Sequence, residues 1–329
     1  MLLSGCDSTP NSESSTDKNK ILLQGKTMGT KYHVAIVHNK EAELNANAIK
    51  SKIDALLEEL NQQVSTYIPD SQISQFNRSN STEWIKVDKD FFSIVETAQN
   101  VSITSNGALD ISIFPLVDIW GFGARKRDDI PNASQIREAL NQTGYESLIL
   151  NSAQQSLKKK HKQLHIDLSA IAKGFAVDKI SDLLKEEGYS NHLVEIGGEL
   201  KANGLNQSDK KWRIAIEQPD SSNTLSQQGI EISNRAVATS GDYRNYFVEK
   251  GIRRSHIIDP KTGYPIKHKL ASVTVLHDST MLADAYATAL LVMGENKGKV
   301  FVEENNLDAL MIIRNDNNFE FWSSTDFFR

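Results

Sequence analysis

Apolar positions along the chain recur at two periods. Residues 46–63 place Ile49, Ile53, Leu56, Leu57 and Leu60 three and four apart, the spacing of one face of an amphipathic helix. The same period over 88–103, with Phe91, Phe92, Val95 and Ala98 on one side, predicts a second helix. Longer helices are expected at about 170–187 and 280–293, each followed by a glycine (Gly188, Gly294) suited to the left-handed position past a helix end. Another is expected near 296–305, and Asn132 or Ser134 can cap a short one ending near Gly144. Strand-like runs, rich in β-branched residues and bounded by Gly, Pro, Asn or Asp, lie at 32–37, 148–150, 156–158, 164–167, 192–196, 199–203 and 212–217. More follow near 229–232, 235–239, 271–276, 308–313 and 319–322, and Lys158–Lys162 reads as a solvated hairpin tip. Neighbouring strands broken by single helices predict an α+β fold with mainly antiparallel sheets rather than a doubly wound one.

Composition narrows the function classes. The 329 residues carry 37 Lys plus Arg against 42 Asp plus Glu, a formal charge of −5, with no basic excess of the kind nucleic-acid binders use. Hydrophobic residues at 39% and charged ones at 24% are ordinary for a chain that folds. No apolar run approaches the roughly 18 residues of a membrane helix. The single cysteine, Cys6, excludes an internal disulfide and a thiolate metal cluster. Leu3-Ser4-Gly5-Cys6 resembles the lipobox of bacterial lipoproteins, although the five residues before Cys6 hold neither a basic n-region nor an apolar h-region. Two readings follow, a lipidated tether or a stray cysteine in a frayed tail. Residues 7 to about 20 are polar and read as a flexible linker, so 1–20 is set apart from a folded unit at 21–329.

Candidate chemistry gathers in a few passages. In Asp167-Leu168-Ser169-Ala170-Ile171-Ala172-Lys173-Gly174, Asp167 or Ser169 can cap the helix that follows. Lys173 in the first turn opposes the helix dipole, and Gly174 inside the helix costs about 1 kcal/mol relative to alanine. A phosphate at the helix start would offset the first and use the close approach allowed by the second; an ordinary N-cap is the alternative. Asp284 and Thr288 stand four apart in an alanine-rich helix, so their oxygens share a face, either as ligands for a hard cation such as Mg²⁺ or as plain packing. His256 follows Arg253 and Arg254 and precedes an Asp259-Pro260 turn; neighbouring cations can keep it neutral as a general base, and a structural histidine is the alternative. The other histidines show no zinc-type spacing. Thr239–Tyr243 and Glu195–Glu199 read as glycine-bearing turns at strand ends, and no dinucleotide fingerprint, P-loop or G-x-S-x-G is present.

Gly25–Tyr32, Ser65–Ser71, Ala108–Ser112 with Pro115-Leu116 and Trp120–Gly123, Asp167–Gly174, Val194–Glu199, Thr239–Tyr243, Ser255–Pro265 and Ala283–Leu290 together resemble the ApbE family of flavin transferases, in order, over about 24–294. The resemblance implies a T-fold-like α+β arrangement of tandem antiparallel sheets packed by helices. It implies Mg²⁺ and FAD, and transfer of FMN from FAD to a threonine hydroxyl of a target protein, through a phosphoester, with release of AMP. It places the protein outside the cytoplasmic membrane, with targets such as the flavin-bearing subunits of sodium-pumping NADH:quinone reductase and related electron-transfer complexes. Asp7 after Cys6 resembles an inner-membrane retention signal, which gives the periplasmic face of the bacterial inner membrane.

Position by position, Met28, Tyr67, Ala108, Leu109, Asp110, Asp167, Lys173 and Ile258 match residues that contact FAD. Asp284, Thr288 and Ala170 match metal ligands, and His256 matches the histidine proposed as base. The rivals are a Mg²⁺-dependent FAD pyrophosphatase, with water as acceptor, and a lipid-anchored flavin-binding protein without chemistry.

Overall fold

The computed structural model describes residues 18–40, 44–123, 130–216, 219, 228–243, 246–249, 252–315 and 318–328; Cys6 and Asp7 lie outside the described residues. The chain opens with a hairpin of β1 (Lys18–Thr27) and β2 (Thr30–Asn39), so order is already present at Lys18. The helix α1 (Ala46–Val64) buries Ile49, Ile53, Leu57 and Leu60, the face its spacing predicts. A short helix that the apolar period did not reveal, α2 (Gln72–Arg78), comes next, with the two-residue strand β3 (Ile85–Lys86), α3 (Lys89–Thr104) and α4 (Phe114–Ile119). Asn132 caps α5 (Ala133–Leu140) in a reciprocal box with Gln135.

A hairpin of β4 (Leu148–Asn151) and β5 (Ser156–Lys159) leads to α6 (Ala172–Glu186). Then come β6 (Asn191–Ile196), β7 (Glu199–Asn203), β8 (Trp212–Ile216), β9 (Gln228–Ile232) and β10 (Arg235–Gly241). The chain closes with β11 (Tyr246–Glu249), β12 (Ile252–Ser255), β13 (Leu270–His277), α7 (Thr280–Glu304), β14 (Asp308–Asn315) and β15 (Asn318–Ser323). Gly294 (φ 76°) divides α7 into the two helical stretches that were expected.

The main sheet runs β1-β2-β6-β7-β10-β13-β14-β15, antiparallel throughout, with smaller antiparallel sheets β3-β5-β4, β8-β9 and β11-β12 beside it. This is the α+β, mainly antiparallel architecture read from the strand order. Alternation along the strands assigns the two faces. Ala238, Val273, Val275 and Met311 pack on Ala283, Ala287, Leu290 and Leu291 of α7. Val237, Leu276 and Leu310, one position out of phase, pack under the β8–β9 hairpin with Trp212, Ile214 and Ile230. The helices α1, α3 and α6 share a third cluster with β2 and β6.

Two expectations fail, for related reasons. Residues 164–167 have no regular secondary structure and join no sheet. The Asn77 side chain brackets Ile166 in place of a neighbouring strand, its amide donating to the Ile166 carbonyl and its oxygen accepting from the Ile166 N–H, both at 2.8 Å. Lys159 is not in a solvated tip but fully buried on β5. Its ammonium donates to the carbonyls of Ser79 (2.9 Å) and Asn77 (3.2 Å) and lies 4.8 Å from the Phe76 ring centre. Burial lowers its pKa to about 8.

One carboxylate joins α6 to α7. Asp178 accepts from Ser279 Oγ (2.9 Å), Thr280 N (3.0 Å), Thr280 Oγ1 (2.9 Å) and Met281 N (3.1 Å), and pairs with Lys201 of β7 at 2.8 Å. A negative group at the start of a helix satisfies N–H groups that have no partner inside it and complements the dipole. Asp178→Ala should therefore cost on the order of 3 kcal/mol, visible as a lowered denaturation midpoint at unchanged denaturant slope. A midpoint equal to the parent's would remove this role.

Candidate active site

The start of α6 faces α7 across a very short gap. A Cβ at Gly174 would lie 2.4 Å from the Thr280 carbonyl oxygen and 2.8 Å from Met281 Cα, so only glycine fits there. The close approach expected at Gly174 is thus made by backbone of α7, not by a bound anion. The helix also starts later than the sequence suggested, at Ala172 after Ile171, with no side-chain cap. Asp167 instead accepts from Ser169 N (2.8 Å) and Ser169 Oγ in the turn before it. The negative group at this helix end is Asp284 of α7, whose Oδ2 accepts from Gly174 N at 3.0 Å.

Lys173, in the same turn, lies 3.2 Å from Glu199 Oε1 and 3.8 Å from Asp284 Oδ2. Both carboxylates are buried, with residue exposures of 4% for Glu199 and 3% for Asp284. Burial pushes Glu199 up to about 7; Lys173 opposes that shift and Asp284 adds to it. Burial also raises Asp284, against Lys173 and the Gly174 amide. Glu199 begins β7, where alternation puts it and Lys201 on the face covered by α6. Both pair with that helix, Glu199 with Lys173 and Lys201 with Asp178.

Around these charges lies a cavity of about 720 Å³ that gathers every candidate residue named from the sequence: Met28, Tyr67, Ala108, Leu109, Asp110, Asp167, Ala170, Lys173, His256, Ile258, Asp284 and Thr288. Met28 stands at φ 47° in the two-residue turn between β1 and β2, with Gly29 at φ 72°. Such turns need left-handed residues and ordinarily take Asn-Gly, so a methionine held there is a mark of a functional constraint. Tyr67 is 69% exposed at the rim, and Ala108, Leu109 and Ile258 form buried wall. Asp110 lines the cavity with its carboxylate already engaged by Ser112 N (2.8 Å), Ser112 Oγ (2.6 Å) and Tyr145 N (3.0 Å), and burial raises its pKa.

His256 follows β12 and meets Phe122 edge-to-face at 6.2 Å. Its loop is pinned by an Ile258–Pro265 bridge and by the Trp120 indole N–H on the Gly263 carbonyl at 2.8 Å. The Arg253 side chain, expected to shape its charge, lies outside the described residues. Thr288 Oγ1 is 3.1 Å from Ser240 Oγ, and Thr239–Gly241 belongs to β10 rather than to a turn.

Sequence reasoning missed Glu199 and Ser240 as site residues. The available signal for Glu199 was an acid and a lysine on the buried face of an interior strand.

The donor set can be tested against a metal. Among the described residues no group of three or more His, Cys, Asp or Glu side chains is placed to hold one. A cation here would draw on one carboxylate with a hydroxyl and a carbonyl, leaving positions for substrate phosphates, as Mg²⁺ does. The geometry agrees: two buried carboxylates lie near the Lys173 ammonium, and Glu199 Oε2 has no hydrogen-bond partner among the described residues.

A family model described as the ApbE family matches residues 28–311. The chain belongs to the ApbE family. The FAD:protein FMN transferase of Vibrio cholerae is 41% identical over 328 residues, covering 99% of this chain and 95% of its own. The protein of the same name from Haemophilus influenzae is 41% identical over 312 residues, with 93% and 90% covered. Among solved structures, the flavin transferase ApbE from Vibrio cholerae superposes with a TM-score of 0.88 at 41% identity, covering 94% of this chain and 98% of that one. The apo flavinyl transferase ApbE of Pseudomonas stutzeri gives 0.86 at 36% identity, with 94% and 95% covered.

Proposed function

We propose that this chain is an FAD:protein FMN transferase that uses Mg²⁺ to move FMN from FAD to a threonine hydroxyl of a target protein, releasing AMP. The observation that carries the reading is the convergence of Lys173, His256, Asp284 and Thr288 on one cavity whose volume, about 720 Å³, suits a large small-molecule ligand. The family membership and the names of the full-length relatives support it.

In this reading His256 takes the proton of the threonine hydroxyl as its oxygen bonds to the FMN phosphorus and the bond to AMP breaks. Lys173 offers its ammonium to the pyrophosphate charge. Met28 and Tyr67 pack on an aromatic ring of the dinucleotide, and Ala108, Leu109 and Ile258 supply the apolar wall. Asp284, Thr288 and the Ala170 carbonyl would hold Mg²⁺, which supplies polarisation of the phosphoryl oxygens when bound. A lipidated Cys6 followed by Asp7 would tether the enzyme to the periplasmic face of the bacterial inner membrane, near targets such as the flavin-carrying subunits of sodium-pumping NADH:quinone reductase. That placement rests on the Leu3–Cys6 lipobox resemblance.

Incubation of the protein with FAD, Mg²⁺ and a threonine-bearing target domain tests the reading. Mass spectrometry should show the mass of FMN added to one threonine with AMP in equal amount. Free FMN with an unmodified target would replace transfer by hydrolysis.

A further inference from the structure

Lys173 is shared between two carboxylates that lie almost entirely out of water. Those carboxylates outnumber the ammonium, and one of their oxygens, Glu199 Oε2, is buried without a partner. An unpaired buried acceptor of this kind is costly, so Glu199 Oε2 is a site where a further positive partner would be stabilising. A cation can reach the cluster through the cavity that Glu199, Asp284 and Lys173 all line. The Gly197 turn packs against the lysine stem; a Cβ there would lie 2.9 Å from Thr30 Cγ2 and 3.6 Å from Lys173 Cδ.

We propose that Lys173 is an internal counter-ion which a divalent cation displaces from Glu199 and Asp284, releasing the ammonium to the phosphates of FAD. The inference rests on the metal and FAD reading above and adds Glu199 to it as the residue that holds the lysine until the metal arrives. Metal and lysine then compete for the same carboxylates, while metal and FAD help each other bind. By linkage the help is mutual, and couplings of this type amount to about 5- to 150-fold in affinity.

Two binding measurements on the full chain at pH 8 test this without turnover. Mn²⁺ binding is read by the loss of the free-ion electron paramagnetic resonance signal, with no FAD present. FAD binding is read by flavin fluorescence in EDTA. Lys173→Met should bind Mn²⁺ at least about 5-fold more tightly, because the competing cation is gone. Glu199→Gln should move the two affinities in opposite directions, Mn²⁺ weaker and metal-free FAD tighter.

A Glu199→Gln protein that loses both affinities has only a structural defect, and one that changes neither has no part in the exchange; both overturn the proposal. So does a Lys173→Met protein whose Mn²⁺ affinity is unchanged or reduced. Those failures leave the metal and FAD reading standing, provided the parent binds both ligands. A parent chain that binds FAD but no Mn²⁺ would overturn the metal reading and this exchange with it.

Discussion

Asp284→Ala should lower the rate of FMN transfer by about 10²- to 10⁴-fold, the range expected when charge stabilisation worth several kcal/mol is withdrawn from a phosphoryl-transfer site. Structure and charge both enter that number and can be separated. Asp284 Oδ2 accepts the Gly174 N–H at 3.0 Å, so alanine leaves an amide of the first turn of α6 without its acceptor. It also leaves Lys173 with Glu199 as its carboxylate partner. Asp284→Asn keeps an acceptor for Gly174 and removes only the charge. The asparagine protein should fold like the parent, lose nearly as much activity as the alanine protein, and require far more Mg²⁺ to recover any of it. An unchanged Mg²⁺ titration in either variant would take Asp284 out of the site.

His256→Asn should separate binding from transfer. The side chain is half-buried, and the walls that would hold FAD pack in apolar clusters, Ala108 and Leu109 in one and Ile258 in another. FAD affinity should stay within a few-fold of the parent, while covalent attachment falls by about 10²- to 10⁴-fold, the usual worth of a general base. Raising the pH should restore part of the lost rate in the variant, since hydroxide supplies externally what the imidazole supplied. Near-normal transfer by the asparagine protein would sink the assignment of His256 as base.

Much of this molecule was legible in its sequence because period and punctuation agreed. Over α1 the three-and-four spacing named the buried face, and Gly188 and Gly294 marked the ends of long helical stretches where the structure has them. The misreadings share a cause, which is that a non-local partner took over what local pattern usually decides. Ile166 reads as a strand residue, yet its ladder is replaced by one asparagine side chain from α2. Lys159 sits in a lysine-rich run that reads as solvated, but carbonyls from the end of α2 and the residue after it accept its ammonium in the interior.

The site shows the same division. Motif residues could be named one by one, and all of them reach the cavity. Glu199 was not, because its pairing with Lys173 joins residues far apart in sequence, and the one local signal was its place on the buried face of β7.

The two carboxylates that meet helix starts in this fold have a further consequence for exchange of backbone hydrogens with solvent. The first amides of a helix ordinarily exchange fast, since they have no acceptor within the helix. Here Gly174 N–H is held by Asp284, and Thr280 and Met281 N–H by Asp178, in each case a side chain of the opposing helix. These three amides should exchange only when α6 and α7 part, at a common slow rate, so a label at any one of them reports the opening of the cavity floor.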